Sequence, residues 1–176
     1  MALRLPVGFV STAPDFGFDN SRNGFGRADV CKEFLEWLSS VGLFISERRW
    51  NRRFSCGPNK SFAKHADSLS PDLPRTKINI MQNAHDAEFI WYRLRAGSHL
   101  MYAGNVIRSY PDKVCEEIYR TSDMRPCLFN ATEIHTLAVG DNNGKRWSCH
   151  SLNLVNEDGQ NVDYNYAEKR LKEFSL

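Results

Sequence analysis

Four arginines fall within six residues of the stretch "ERRWNRRF": Arg48, Arg49, Arg52 and Arg53 surround Trp50 and precede Phe54. Guanidinium forks bind phosphates and carboxylates through paired hydrogen bonds and stack on planar groups. A tryptophan beside them offers bases a stacking platform. Lys60 and Lys64 extend the basic run. The chemistry is recognition of an anion-rich partner, either nucleic acid or an acidic protein surface. The competing reading is a solvated element whose arginine stems lie along a core formed by Trp50 and Phe54. On a strand, Arg48 and Arg52 share the face of the two aromatics; on a helix they point away from it.

A second constellation is a thiol and an imidazole. Cys31 falls at the start of an expected helix, where the positive end of the helix favours the thiolate. His135 falls on an expected strand. The stretch "HTLAVGDNNGKRW", His135 to Trp147, resembles the histidine hairpin of papain-like and transglutaminase-like cysteine enzymes, and the order Cys31 then His135 is similar too. The resemblance covers about a dozen residues. It implies a hydrolase or transferase with Cys31 as nucleophile, His135 as base and Asn153 as the group that orients the base. The surroundings of Cys31, "ADVCKEF", depart from the glycine-rich or aspartate-rich setting of those families.

Weaker patterns lie elsewhere in the chain. Gly24 and Gly26, with Arg27, precede the expected helix and could let backbone amides approach a phosphate. The dinucleotide fingerprint is incomplete, since Asp29 stands where a third glycine belongs. Cys149, His150 and His135 lack the regular spacing of a metal site, so neither metal nor cofactor is expected. Cys149 and His150 read more plainly as a buried thiol and an exposed imidazole alternating along a strand. His85 and Glu88 would share a helix face.

Composition narrows the frame. The chain has 176 residues, enough for one domain with a substantial core, and its 41% apolar and 25% charged content is that of a globular protein. The formal net charge is only +2, so affinity for polyanions has to come from local segregation of charge. Five cysteines at irregular spacing and an N-terminal apolar run interrupted by Arg4 and Pro6 point to a reduced, cytoplasmic protein with no membrane span.

The elements that must position these groups form an α+β domain over residues 1–176: an antiparallel sheet with a C-terminal three-stranded meander and helices packed on it. Residues 11–27 read as a long loop. A helix is expected over about 28–41, with Val30, Phe34, Leu35, Leu38 and Val41 on one face and Gly42 just beyond its end. Short helices are expected at "SFAKHADSL" and "SYPDKVCEEIYR" and over 83–95, where a helix capped by Asn83 competes with a strand around "FIWYRL". Strands are expected at "KINIM", at "HLMYAGNVI", and at "EIHTLAVG", "KRWSCHSLNLV" and "NVDYNYA", the last three forming the meander. "AEKRLKEF" closes the chain as a helix. The overall expectation is a small non-enzymatic binding protein, with an inhibitor or accessory protein of a mobile genetic element as the suitable type and the cysteine enzyme as the alternative.

Overall fold

The computed structural model describes residues 3–4, 32–46, 52–67, 75–98 and 110–173. Nine strands and two helices appear among them: β1 (Leu3–Arg4), α1 (Lys32–Ser40), β2 (Phe44–Ile45), β3 (Arg52–Cys56), β4 (Thr76–Gln82), β5 (Ala87–Leu94), β6 (Cys115–Thr121), β7 (Cys127–Asn130), β8 (Ile134–Val139), β9 (Trp147–Val155) and α2 (Tyr164–Glu173). The expected strand at "HLMYAGNVI" and the expected loop at 11–27 lie outside the described residues.

The fold is α+β, and all the strand pairs are antiparallel. One sheet has the order β1-β7-β4-β9-β2, with β3 also on β9; the other has the order β6-β5-β8. The layers follow from which faces are apolar. Ile78, Ile80, Leu128, Leu152 and Leu154 pack with Phe34 and Leu38 of α1 and Ala167 and Leu171 of α2. The opposite face of the same sheet, with Cys127, Phe129, Trp147 and Cys149, packs with Phe89, Trp91, Leu137 and Val139 of the second sheet. The order is helices, large sheet, small sheet.

Helix α1 ends as its glycine requires. Gly42 has φ +71°, Gly42 N–H donates to Ser39 O at 3.0 Å and Leu43 N–H to Leu38 O at 3.0 Å, the two bonds of a Schellman cap. Phe34, Leu38 and Val41 are buried as expected, whereas Leu35 is exposed.

The meander is corrected. "EIHTLAVG" and "KRWSCHSLNLV" do supply strands β8 and β9, but β8 pairs with β5 and β9 with β4, β2 and β3. "NVDYNYA" runs into α2 instead, because the Asp163 carboxylate accepts from Tyr166 N–H at 2.8 Å as a helix N-cap. Being covered on both faces, β9 is buried along its whole length, so His150 is buried beside Cys149 rather than exposed.

Three expected helices are extended chain. Residues 87–94 form β5; Phe89, Ile90, Trp91 and Tyr92 are buried in succession because both faces of this strand are covered. His85 and Glu88 therefore share no helix face. "KVCEEIYR" is a one-turn 3-10 helix followed by β6; a four-residue spacing such as Val114 to Ile118 fits both the helical and the strand period. Residues 59–67 lie along the outer edge of β8. Their ladder includes Asn59 N–H to Gly140 O at 2.6 Å, Phe62 N–H to Leu137 O at 3.0 Å and Asp67 N–H to Ala131 O at 2.9 Å.

Candidate functional site

The layer between the sheets is apolar at one end and polar at the other. Cross-strand partners share a face, so the β4 residues Lys77 and Asn79 lie with Asn153 and Ser151 of β9 on the interlayer side. Asn79, Ser151 and Asn153 are buried. From the opposite sheet, His135 of β8 faces this end, opposite Trp91 in register and edge-on to the Phe129 ring at 4.6 Å.

His65 and Asp67 come to the same place from the irregular strand beside β8. In extended chain, residues two apart project to the same side, so an H-x-D spacing delivers imidazole and carboxylate together. His65 Nε2 is 3.3 Å from Asp67 Oδ1, and His135 Nε2 is 3.9 Å from Asp67 Oδ2. Lys77 Nζ donates to Asp67 Oδ2 at 2.8 Å. All four side chains are at most one fifth exposed.

Both imidazoles are held the same way. His65 Nδ1 is 2.7 Å from Ala63 O and His135 Nδ1 is 2.8 Å from Glu133 O. A carbonyl can only accept, so in each ring Nδ1 carries the proton and Nε2 faces Asp67.

The electrostatics separate the two rings. Burial pushes His135 down to about 4, against a smaller upward pull from Asp67. Burial also acts to lower His65, but the hydrogen bond and charge of Asp67 outweigh it and the net direction is up. Asp67 is partly desolvated, yet His65, Lys77 and His135 together hold it well below the usual carboxylate range. At neutral pH the centre holds an anionic carboxylate, an ammonium, a neutral His135 and a His65 biased towards its charged form. This arrangement can orient protons or, with the rings deprotonated, present two nitrogens and a carboxylate to a cation.

Of the residues singled out from sequence, Cys31, Arg48, Arg49, Trp50, Gly24, Gly26 and Arg27 lie outside the described residues. Arg52 and Arg53 are on β3, opposite Ser151 and His150 of β9. Lys60 is exposed. Lys64 is committed within the fold: it pairs with Asp112 and sits 4.3 Å from the centroid of the Tyr92 ring. His135 and Asn153 face the same interlayer space from opposite sheets. Cys115, Cys127 and Cys149 are buried thiols, and desolvation raises the Cys115 and Cys149 thiols.

Sequence reasoning missed His65, Asp67 and Lys77. The H-x-D triplet is the available signal, but it falls inside the expected helix "SFAKHADSL", and its partner His135 is 70 residues away. The chain matches no protein-family model, no curated protein and no solved structure. Among the described residues, no helix is long and apolar enough to cross a membrane.

Proposed function

We propose that this chain is a binding protein that contacts an anionic partner, nucleic acid or an acidic protein surface, through the arginine-rich segment 48–53. The supporting observation is a mismatch of length at the edge of the large sheet. Strands β2 and β3 lie on the same edge of β9. Ser46 N–H donates to Asn153 O at 2.9 Å, and Arg52 stands opposite Ser151. The ladder therefore has room for one residue where the chain supplies five, Glu47 to Asn51. Arg52 and Arg53 resume the edge strand after this five-residue stretch. A stretch of this length and composition between two edge strands suits recognition better than it suits a core strand. Buried thiols at Cys115, Cys127 and Cys149 agree with work in a reducing cytoplasm, and the type of partner suits an inhibitor or accessory protein of a mobile genetic element.

The test is binding to labelled single- and double-stranded DNA and RNA across a salt series. The wild type is compared with a variant in which Arg48, Arg49, Arg52 and Arg53 are all glutamine, its fold checked by circular dichroism. A phosphate-binding segment gives a steep salt dependence that flattens in the variant by roughly one unit of slope per lost contact. Tight wild-type binding to acidic polypeptide but not to nucleic acid would assign the protein surface instead. Equal, feeble binding by both chains to every probe would sink the reading.

The alternative is a cysteine hydrolase or transferase with Cys31, His135 and Asn153. The shared interlayer position of His135 and Asn153 favours it. Fast alkylation of Cys31 near neutral pH, lost in His135→Gln, would support that assignment; alkylation at the rate of an ordinary exposed thiol would remove it.

A further inference from the structure

Beyond this reading, the interlayer centre holds an arrangement that the anion-binding proposal does not use. Two imidazole nitrogens and a carboxylate oxygen from His65, His135 and Asp67 all lie within 4.8 Å of one another. Each imidazole has spent its N–H on a backbone carbonyl two residues earlier, Ala63 O or Glu133 O. With both rings neutral, the two remaining nitrogens are lone pairs, and they face a carboxylate that can only accept. Three acceptors converge, and Lys77 Nζ on Asp67 is the donor already engaged. A proton on His65 relieves one clash; a bound cation relieves all of them at once.

We propose that His65 Nε2, His135 Nε2 and an Asp67 carboxylate oxygen form a site for a divalent first-row transition metal, with zinc as its representative.

The donor set selects this class of ion. Two imidazoles and one carboxylate suit zinc, cobalt, nickel or iron, whereas calcium and magnesium prefer all-oxygen sites. The geometry brings the donors together but leaves them wider than a bound metal holds them. Ligands about 2.0–2.1 Å from a tetrahedral zinc stand about 3.3 Å apart. His65 Nε2 already stands 3.3 Å from Asp67 Oδ1 and His135 Nε2 3.9 Å from Asp67 Oδ2, while the three donors as a set span up to 4.8 Å, so a bound ion would draw the side chains closer together.

The outer contacts also match. Ligating histidines generally donate their other N–H to a carbonyl or carboxylate, which fixes ring orientation and tautomer. Here both do so, through the same two-residue backward bond. His135 is further locked by its backbone pairing with His65 and its edge contact with Phe129. Ligating carboxylates are hydrogen-bonded in turn, and Lys77 supplies that bond to Asp67. Its ammonium charge opposes a cation, so Lys77 sets the affinity below that of a neutral outer partner. Three protein ligands leave a fourth position for water or an anionic group, as at zinc sites that exchange ligands.

The test uses the full chain, stripped with a chelator and titrated with zinc. Calorimetry is expected to show one equivalent bound by the wild type. Long-range proton–nitrogen NMR is expected to move Nε2 of His65 and His135 while leaving exposed His85 unchanged. That readout needs no substitution, so it stands even if a variant fails to fold. Asp67→Asn and His65→Gln, each checked for fold, are expected to weaken binding by about 100-fold. Lys77→Met is expected to tighten it. The proposal is overturned if the folded wild type takes up no zinc, if the nitrogen shifts fall on other histidines, or if all variants bind as the wild type does.

Discussion

His65 and His135 exchange both backbone hydrogen bonds across an antiparallel bridge, with His65 N–H to His135 O at 2.9 Å and His135 N–H to His65 O at 2.8 Å. Their ring centroids are 4.5 Å apart. Two residues 70 positions apart are thereby fixed side by side by main-chain bonds, and Asp67 follows in the same extended run. The side-chain centre is set by backbone register.

The two rings give the metal-free protein a pH optimum. Between the ordinary imidazole value of 6.5 and its folded value of about 4, His135 binds protons more readily in the unfolded chain. Stability therefore falls as pH drops through that window, by about 3 kcal/mol for its share. His65 has the opposite sign: its raised value adds stability below the ordinary imidazole range, lost as pH rises through the folded value. Thermal melts in chelator are expected to peak near the ordinary imidazole value. His135→Gln is expected to flatten the acid limb between pH 6.5 and 4; an unchanged limb would mean another group carries it.

Lys77 and Asp67 form a mostly buried ion pair at 2.8 Å. Removing the ammonium leaves a carboxylate in the protein interior with His65 as its remaining close cation. Lys77→Met is expected to cost about 2 kcal/mol in urea unfolding at pH 8, where His65 is less protonated, and less at pH 6. Equal losses at both pH values would show that His65 does not share the charge.

Asn142 ties two turns together with no side-chain exposure. Its Oδ1 accepts from His85 N–H at 2.7 Å and Asp86 N–H at 3.2 Å, while its Nδ2 donates to Asn83 O at 2.7 Å and Lys145 O at 3.0 Å. It holds a left-handed φ of +50° as well. Asn142→Ala is expected to cost about 2–4 kcal/mol, from unpaired backbone groups and the strained φ. Asn142→Asp keeps the acceptor and loses the two donors, so chemical denaturation should place it between wild type and alanine.

The cap of α1 is a joint feature of both helices. Arg170 Nε donates to Val41 O at 2.9 Å, and a Cβ on Gly42 would come within 2.6 Å of Arg170 Nη2. Gly42→Ala is expected to lower stability by about 1–2 kcal/mol, since alanine resists the left-handed conformation. In the Arg170→Ala background the steric share should vanish and only the φ share remain, which a double-mutant cycle reads directly.

Sequence patterns were sufficient where a local rule had one solution. The face Phe34, Leu38, Val41 with Gly42 after it can only end a helix, and "KINIM" alternates because β4 has distinct faces. The closing helix is legible for the same reason. The α+β class follows from those elements together.

Tertiary structure decided the rest. The stretches 83–95 and 109–120 look helical in sequence because four-residue spacings satisfy both periods, and because a strand covered on both faces loses its alternation. Whether β8 and β9 share a sheet depends on long-range pairing that neither strand encodes alone. The same holds for the site. Cys31 and His135 were linked by a local likeness, and His65 was passed over, because nothing near residue 65 announces that residue 135 will pair with it. Residue types supplied two imidazoles, a carboxylate and an ammonium; only the long-range pairing of residues 65–67 with β8 joined the first three, and only the stacking of the two sheets brought Lys77 to them.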